Sequence, residues 1–318
     1  MRRRLVAQSL PALFAASLAM ANALNPDAAL APLDAAKLDR WWDFARPAES
    51  EARFRAELPS LPAGSAARLE LLTQIARAQG LQRRFDAAGA TLDEVEKAMR
   101  DGPPRVRVRY LLERGRVYNS SQQPGRALPL FESALALATT AHEDFLAIDA
   151  AHMLGIAAAP ADRLQWNLEA VAMAERSSDP RARRWLAPLY NNIGWTWHEQ
   201  GAYALALDYF EKALPLREAR GEVEAIRTAR GAIARALRSL GRYDEALTIQ
   251  RALLAEHEKD GSTDGHVFEE LGEIELARNH ADAARPWFAQ AARTLGQDAW
   301  FAASEPARLE RLRELGGR

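Results

Sequence analysis

The sequence predicts an all-α protein built from repeated pairs of helices, and two observations support this prediction. The first is composition: 48% of the 318 residues are hydrophobic, mostly Ala and Leu, and 27% are charged. This balance, with few Val and Ile, favours helices over strands. The second is an internal repeat of about 40 residues, in which a small residue recurs at nearly constant steps. The chain is long enough for several such pairs and an extensive core.

Charge and cysteine content exclude several classes of function. The chain has 42 basic and 43 acidic residues, a net charge of −1, so no broad positive field exists to gather nucleic acid or anionic lipid. It has no cysteine, which excludes disulfides, thiolate metal ligands and cysteine nucleophiles. We therefore expect packing to stabilise the fold, and we expect no nucleic-acid partner and no cofactor.

The first 23 residues have the pattern of a secretory signal peptide. Residues 2–4 are arginines, residues 5–20 are apolar or small without an acidic residue, and Ala21-Asn22-Ala23 fits a small-x-small cleavage site. We predict cleavage after Ala23, a periplasmic or secreted mature chain, and no integral membrane span in that chain. The alternative is an uncleaved N-terminal anchor, although Pro11 and polar neighbours make a poor spanning helix.

The clearest repeat lies between Ala187 and Ala213. In it, aromatic, Ile-Gly, aromatic, Ala, Phe and Ala follow one another at Tyr190, Ile193-Gly194, Trp197, Ala206, Phe210 and Ala213, an order that resembles the tetratricopeptide pattern. The small residue of its first helix recurs in six repeats, at Ala76, Gly115, Gly155, Gly194, Ala234 and Gly272, giving steps of 39, 40, 39, 40 and 38 residues. These steps exceed the usual period of about 34 residues and predict longer second helices or longer loops.

These small residues predict how the helices pack. Two antiparallel helices approach closely only where Gly or Ala faces the neighbour and large side chains fill the space beside the contact. Gly194 and Ala206 are therefore expected at such contacts. Gly201 and Gly241 follow first helices, where a left-handed turn residue is needed and glycine has no steric penalty.

No repeat can bury its apolar face alone, so both ends of the array need a cap. Trp41, Trp42 and Phe44 precede the first repeat, and Leu309 begins a leucine stripe at helical spacing after the last. The predicted segments are a signal peptide (1–23), an N-terminal capping segment (24–65), six repeats (66–296) and a C-terminal capping helix (297–318).

Over residues 66–296 the chain resembles the tetratricopeptide-repeat family, with strong motifs in four repeats and weak motifs in two. Tyr190-Asn191-Asn192-Ile193-Gly194 followed by a long second helix is similar to the longer-period branch found in kinesin light chains and bacterial peptide-sensing regulators. The resemblance implies an α-solenoid, a right-handed superhelix of antiparallel helix pairs. It also implies a concave groove that holds a peptide or partner protein.

The family geometry directs particular first-helix positions of each repeat into that groove. The resulting candidate binding residues are Arg116, Asn119, His152, Asn191, Asn192, Trp195, His198, Arg235 and Arg238, with Arg77, Arg109 and Asp149 on the same surface and Glu269, Glu270 and Glu273 at its far end. Arginines pair with carboxylates, and asparagine side chains both donate and accept hydrogen bonds. We therefore expect a protein or peptide partner with acidic groups or a C-terminal carboxylate. The alternative is an ordinary solvated face, and the choice depends on whether Trp195 is exposed.

Catalytic patterns are missing from the sequence. His142-Glu143, His198-Glu199 and His257-Glu258 each begin like a zinc-protease motif, but none has the second His. No Gly-rich phosphate loop or Gly-x-Ser-x-Gly motif occurs either. The sequence thus favours a non-enzymatic scaffold or adaptor that binds a peptide or protein. A self-associating component of a cell-envelope assembly and a non-catalytic subunit of an enzyme complex are the alternatives.

Overall fold

The computed structural model describes residues 30–99 and 102–317, and in this part of the chain the regular structure is helical, without strands. The predicted signal peptide, residues 1–23, lies outside the described residues. The chain divides into two compact units, one up to residue 159 and one from residue 160 onward. This division does not follow the predicted segment boundaries, which remain predictions. No described helix is both long and apolar enough to span a membrane.

The described residues of unit 1 form two short helices followed by five long ones. They are α1 (Ala35–Trp41), α2 (Pro47–Glu57), a 3-10 turn (Leu58–Ser60), α3 (Ala66–Leu81), α4 (Phe85–Met99), α5 (Pro104–Ser120), α6 (Pro124–Thr140) and α7 (Asp144–Ala157). Proline at the first position of α2, α5 and α6 starts these helices, since that position needs no backbone N–H donor. Ser65 caps α3 by accepting from the Arg68 backbone N–H at 3.3 Å.

Unit 2 continues the alternation of first and second helices. Its helices are α8 (Pro160–Arg176), α9 (Pro180–Arg183), α10 (Leu186–Glu199), α11 (Tyr203–Glu218), α12 (Val223–Ser239), α13 (Tyr243–Asp260), α14 (Gly265–Ala277), α15 (Ala281–Leu295), α16 (Ala299–Ser304) and α17 (Pro306–Gly316). The long period comes from the helices, because α11, α12 and α13 have 16, 17 and 18 residues and are joined by short turns. First as well as second helices are therefore extended.

Glycine on a first helix lies against phenylalanine on the following second helix in three pairs. Gly115 faces Phe131, Gly194 faces Phe210, and Gly272 faces Phe288. An added Cβ atom would lie 2.5 Å from Phe210 Cε1 at Gly194 and 2.9 Å from Phe288 Cε1 at Gly272, which is closer than real Cβ contacts allow. The three rings are buried, so this contact forms the centre of each helix pair. The close approach predicted for Gly194 is confirmed.

The turn after a first helix has a left-handed residue. Gly201 and Gly241 have φ angles of 77° and 75°, as the sequence predicts. In three other turns the same place is occupied by Arg83, Gln122 and Asn279, with φ angles of 60°, 64° and 65°. These turns thus keep the left-handed conformation without glycine. Each non-glycine residue in it raises the conformational energy of the backbone by about 1–2 kcal/mol.

Aromatic and leucine side chains seal the two ends. In unit 1, Phe54 is fully buried and its ring meets those of Trp41 and Trp42 edge-on, at centroid distances of 6.3 and 5.0 Å. In unit 2, Leu309 and Leu312 of α17 are buried in a cluster with Phe288 and Leu295 of α15. Each end of the array therefore buries an apolar face that would otherwise be open.

Candidate functional site

The predicted groove residues of unit 1 form ion pairs with the chain's own carboxylates. Arg116 donates to Glu113 Oε1 at 2.6 Å and also binds Asp149, and Arg77 binds Glu113 at 3.4 Å. Burial acts to raise the pKa of Asp149, but the charges of Arg116 and Arg77 lower it below its usual value. Burial lowers the pKa of His152 to about 4, against the attraction of Asp149. His152 is therefore neutral at pH 7 beside this network of ion pairs.

Arg109 is also occupied by a carboxylate. Its Nε donates at 2.9 Å to Glu70, which is fully buried and accepts a second bond from Arg105 at 3.1 Å. Arg105 in turn reaches Glu143 at 3.0 Å. These arginines hold neighbouring first helices together and leave no charge for a guest. Asn119 lies half-buried in the last turn of α5.

The N-terminal segment covers Arg77. The rings of Trp42 and Phe44 are stacked with centroids 4.5 Å apart, and the Arg77 guanidinium lies 5.9 and 5.4 Å from them. The Trp42 indole N–H donates to Gln74 Oε1 at 3.0 Å. The chain itself thus occupies this part of the surface that the sequence assigned to a partner.

In unit 2 the structure brings Trp195, His198 and Arg235 together. The Arg235 guanidinium lies 5.6 Å from the Trp195 ring centroid, and the His198 and Trp195 rings meet at 5.5 Å. His198 Nε2 contacts Ser239 Oγ at 3.0 Å. Burial first, and then the charges of Arg235 and Arg238, lower the pKa of His198, so its ring is neutral at pH 7. Asn191 and Asn192 are half-buried on the same helix as Trp195.

Trp195 is half-buried, whereas the binding hypothesis expected it to be exposed. One side of its ring packs edge-on against Phe210 at 5.1 Å and joins the core of unit 2. The ring also lines a cavity, described below. Trp195 is therefore part of a wall, and its exposure, on which the sequence argument for binding by Asn191, Asn192 and Trp195 depended, is not observed.

The predicted acidic end of the groove is neutralised by arginines. Arg238 makes two bonds to Glu270, at 2.5 and 3.2 Å. Arg308 of α17 makes two bonds to Glu269, at 2.8 and 2.7 Å, and Arg311 pairs with Glu273. Burial acts to raise the pKa of Glu269, but bonds from His266 and Arg308 lower it to about 2. The C-terminal helix thus closes this end.

A cavity of about 510 Å³ lies in unit 2 among these side chains. Its walls come from α10, α12, α13, α14 and α17. Trp195, Ala232, Leu253 and Val267 supply apolar surface, and Arg235, Gln250 and His257 supply polar groups. A cavity of this size with a few polar side chains in its lining is typical of a ligand site.

Three polar atoms of the residues lining this cavity are buried without a hydrogen-bond partner. They are Arg235 Nε, Gln250 Oε1 and His257 Nε2. Gln250 is only 2% exposed and His257 only 6%, and the other ring nitrogen of His257 contacts Ser262 Oγ at 2.9 Å. Within the described residues Arg235 also forms no ion pair. Leaving a buried polar group unpaired costs about 1–3 kcal/mol, so such a concentration marks a candidate binding site.

The sequence interpretation missed Gln250 and His257. Both lie on α13, a second helix, whereas the family geometry assigned the groove to first helices. A signal was present, because Ala246, Gln250, Leu253 and His257 form one buried stripe at helical spacing and two of its members are polar.

No metal centre accompanies the cavity. Among residues 30–99 and 102–317, no group of three or more His, Asp or Glu side chains is placed to hold a metal ion. The three His-Glu pairs singled out in the sequence do not converge on such a cluster within this part of the chain.

Comparison with known proteins agrees with this fold. A tetratricopeptide-repeat family model matches residues 189–220 and 227–259, which span most of α10 to α13. In a comparison with curated proteins, the sequence has no significant match.

Several solved structures are similar in fold. A tetratricopeptide-repeat protein from Parabacteroides merdae has a TM-score of 0.52 and 15% identity, over 89% of this chain and 96% of its own. The pilF protein of Pseudomonas aeruginosa has a TM-score of 0.52 and 15% identity, over 76% and 97%. A signal-transduction ATPase with a tetratricopeptide-repeat sensor, from Pyrococcus horikoshii, has a TM-score of 0.63 and 11% identity over 85% of this chain. This chain spans only 42% of the length of that protein. At these identities the likeness shows the fold, an all-α solenoid of helix pairs.

Proposed function

We propose that this chain, whose fold is that of tetratricopeptide-repeat proteins, is a non-enzymatic scaffold that binds a peptide or partner protein on unit 2. The contact surface is the inner face of unit 2, defined here as Asn191, Asn192, Trp195, His198 and Arg235. Proteins of this fold serve protein interaction, and the fold therefore bounds the function without naming the partner.

The observation that carries the proposal is the state of Arg235. Every other arginine assigned to the groove has a partner inside the chain, namely Arg77, Arg109, Arg116 and Arg238. Arg235 lies over the Trp195 ring with its Nε buried and without a hydrogen-bond partner. A partly buried guanidinium has already lost some of its water. Pairing it with a carboxylate therefore costs little further desolvation of the arginine and adds a charge-assisted hydrogen bond.

The other members of the inner face suit a peptide main chain. The side chains of Asn191 and Asn192 can each donate and accept hydrogen bonds, and both remain partly accessible. The neutral His198 ring adds no charge that would repel a basic residue of the guest. A short acidic peptide or a chain end with a free carboxylate fits this combination.

The local chemistry favours binding over catalysis. His198 contacts Ser239 as a base contacts a nucleophile, but no carboxylate of the described residues lies within 4 Å of the His198 ring to orient it. Its lowered pKa also makes it a weaker base than a free imidazole.

The proposal can be tested by selecting binders from a random-peptide library displayed with free carboxyl termini, using the full chain as bait. Selected peptides are then titrated calorimetrically against the wild type, Arg235→Gln and Arg251→Gln. Arg251 is an exposed arginine of α13, so its variant removes the same charge from another face. We expect Arg235→Gln to weaken binding about tenfold or more, since a hydrogen bond to a charged group contributes about 1.5–3 kcal/mol, and Arg251→Gln to change nothing.

Two results would contradict this function. One is a selection that yields no peptide with measurable affinity for the wild type. The other is a set of selected peptides that bind Arg235→Gln as tightly as wild type, which would place the contact surface elsewhere.

We also propose that the chain acts outside the cytoplasm, on the strength of the signal-peptide pattern ending at Ala23. N-terminal sequencing of the protein from whole cells tests this: a mature chain starting at Leu24 agrees with it, and a chain retaining residues 1–23 in a soluble cytoplasmic fraction contradicts it.

A further inference from the structure

We infer that the cavity in unit 2 is a binding pocket for one acylated amino-acid unit, a carboxylate with an amide N–H next to it. The inference rests on the proposed function in using Arg235, and it adds the part of the cavity that α13 lines and a defined ligand chemistry. The pocket shares Trp195, His198 and Arg235 with the inner face and reaches the second helix α13 through Gln250 and His257.

The roles of the unpaired atoms define the ligand. Arg235 Nε–H is a donor, so it requires an acceptor, and the adjacent positive charge favours an anionic one. Gln250 Oε1 is an acceptor and requires a donor; a carboxylate alone cannot supply it. His257 Nε2 can take either role. It is an acceptor if Nδ1 donates to the Ser262 hydroxyl, and a donor if Nδ1 accepts from that hydroxyl.

A carboxylate with a neighbouring amide N–H meets these requirements with one compact group. The carboxylate pairs with Arg235, the amide N–H donates to Gln250, and His257 bonds to the remaining carboxylate or carbonyl oxygen. A larger body attached to this group would lie against Trp195, Leu253 and Val267, which supply the apolar wall. A volume of about 510 Å³ accommodates a group of this size.

No carboxylate of the described residues forms an ion pair with Arg235. Glu269 and Glu270 line the pocket, but they are bound to Arg308 and Arg238, each through two bonds. Glu199 and Asp264 line it as well, and Asp264 accepts the His266 backbone N–H at 2.8 Å. Arg227, a further lining residue, is bound to Glu256, Glu224 and Asp260. The lining cation left for a ligand among the described residues is therefore Arg235.

Gly231 gives a way to close the pocket without damaging the fold. It lines the cavity from α12, and a Cβ atom built on it meets no heavy atom within 4 Å. A large side chain at this position would project into the cavity, and replacing a helical glycine does not oppose helix formation. Gly125 of α6 is equally free of contacts and exposed, so Gly125→Phe is the matched control for Gly231→Phe.

The test uses three small probes on the full chain: N-acetylphenylalanine, its C-terminal amide, and 3-phenylpropanoate, which keeps the carboxylate but lacks the amide. Binding is measured by calorimetry and by ligand-induced thermal shift. We expect N-acetylphenylalanine, or its counterpart with another side chain in a panel of N-acetyl amino acids, to bind at least tenfold more tightly than the other two probes. Gly231→Phe and Arg235→Gln should abolish this binding, and Gly125→Phe should retain it.

The inference is overturned if no N-acetyl amino acid binds the wild type, if the amide binds as well as the acid, or if Gly231→Phe leaves binding intact. Circular dichroism of each variant establishes that it is folded. A longer peptide ending in the preferred residue separates the two sources of the group: tighter binding identifies a chain end, and equal binding identifies a free N-acyl amino acid. Peptides from the library selection that bind Gly231→Phe as tightly as wild type would remove this pocket and leave the scaffold function standing.

Discussion

Gly194 of α10 lies against the edge of the Phe210 ring of α11, with 2.5 Å between an ideal Cβ position and Phe210 Cε1. Any side chain at Gly194 must displace this buried ring. We predict that Gly194→Val lowers the free energy of unfolding by about 1–3 kcal/mol, the usual range for overpacking. Urea unfolding followed by circular dichroism measures the change. Gly231→Ala is the control, since it meets no atom within 4 Å and should be neutral or stabilising.

The left-handed turns allow two substitutions with opposite effects. Gly201→Ala places a Cβ at a φ of 77° where no other atom is near, so only the backbone strain changes. We predict a loss of about 1 kcal/mol in the free energy of unfolding. Gln122→Gly relieves the same strain at a φ of 64° and should raise the thermal midpoint. A rise for Gly201→Ala or a fall for Gln122→Gly would show that these turns are not strained.

The fully buried carboxylate of Glu70 bonds to Arg105 and Arg109. Glu70→Gln removes the negative charge and leaves two guanidinium groups facing each other. We predict a loss of about 3–5 kcal/mol in the free energy of unfolding, the usual result of breaking a buried pair from one side. The exposed pair of Lys212 and Asp208 provides the contrast, where Asp208→Asn should cost less than about 1 kcal/mol. Similar losses in both variants would contradict the buried network.

His152 should make unit 1 less stable as the pH falls. Its pKa in the folded chain is about 4, below the ordinary value of 6.5, so between these values the unfolded chain binds more protons than the folded one. Stability due to the neutral ring is therefore complete above pH 6.5 and is lost progressively as the pH falls toward 4. The slope is at most about 1.4 kcal/mol per pH unit for one group.

Free energies of unfolding at pH 7 and pH 5 measure this dependence. We expect His152→Asn to lose less stability than wild type over that interval. Some dependence should remain, because the pKa of His198 in unit 2 is lowered as well. An unchanged dependence in His152→Asn would assign the effect to other groups.

Much of the fold could be read from the sequence because packing in a repeat array is periodic. Gly194 and Phe210 are determined by the helix pair alone, and Gly201 by the turn that follows it. The ion pairs were not predicted, although several join residues close to one period apart: Glu70 and Arg109 are 39 residues apart, and Glu269 and Arg308 also 39. Equivalent positions of adjacent repeats are neighbours, so an acidic residue one period from an arginine competes with any external partner.

The candidate site was predicted only in part, for a related reason. Arg235, Trp195 and His198 were predicted because the family geometry assigns first-helix positions to the groove. Gln250 and His257 line the cavity from α13, a second helix. Their importance depends on hydrogen bonds that are not made, and a sequence pattern carries no information about which buried groups lack partners. Only the three-dimensional arrangement separates Arg235 from Arg238, which lies three residues later on the same helix and is bound to Glu270.

The helix α17 covers an apolar flank of α15. Its leucines at 309 and 312 cover the flank of α15 on which the first helix of another repeat would stack, and Arg308 and Arg311 fasten it to α14. A chain lacking α17 would present that flank to the starting helices of another molecule, and head-to-tail contacts of this kind produce open filaments. We therefore expect α17 to oppose such filaments as well as to cover the apolar side chains of α15.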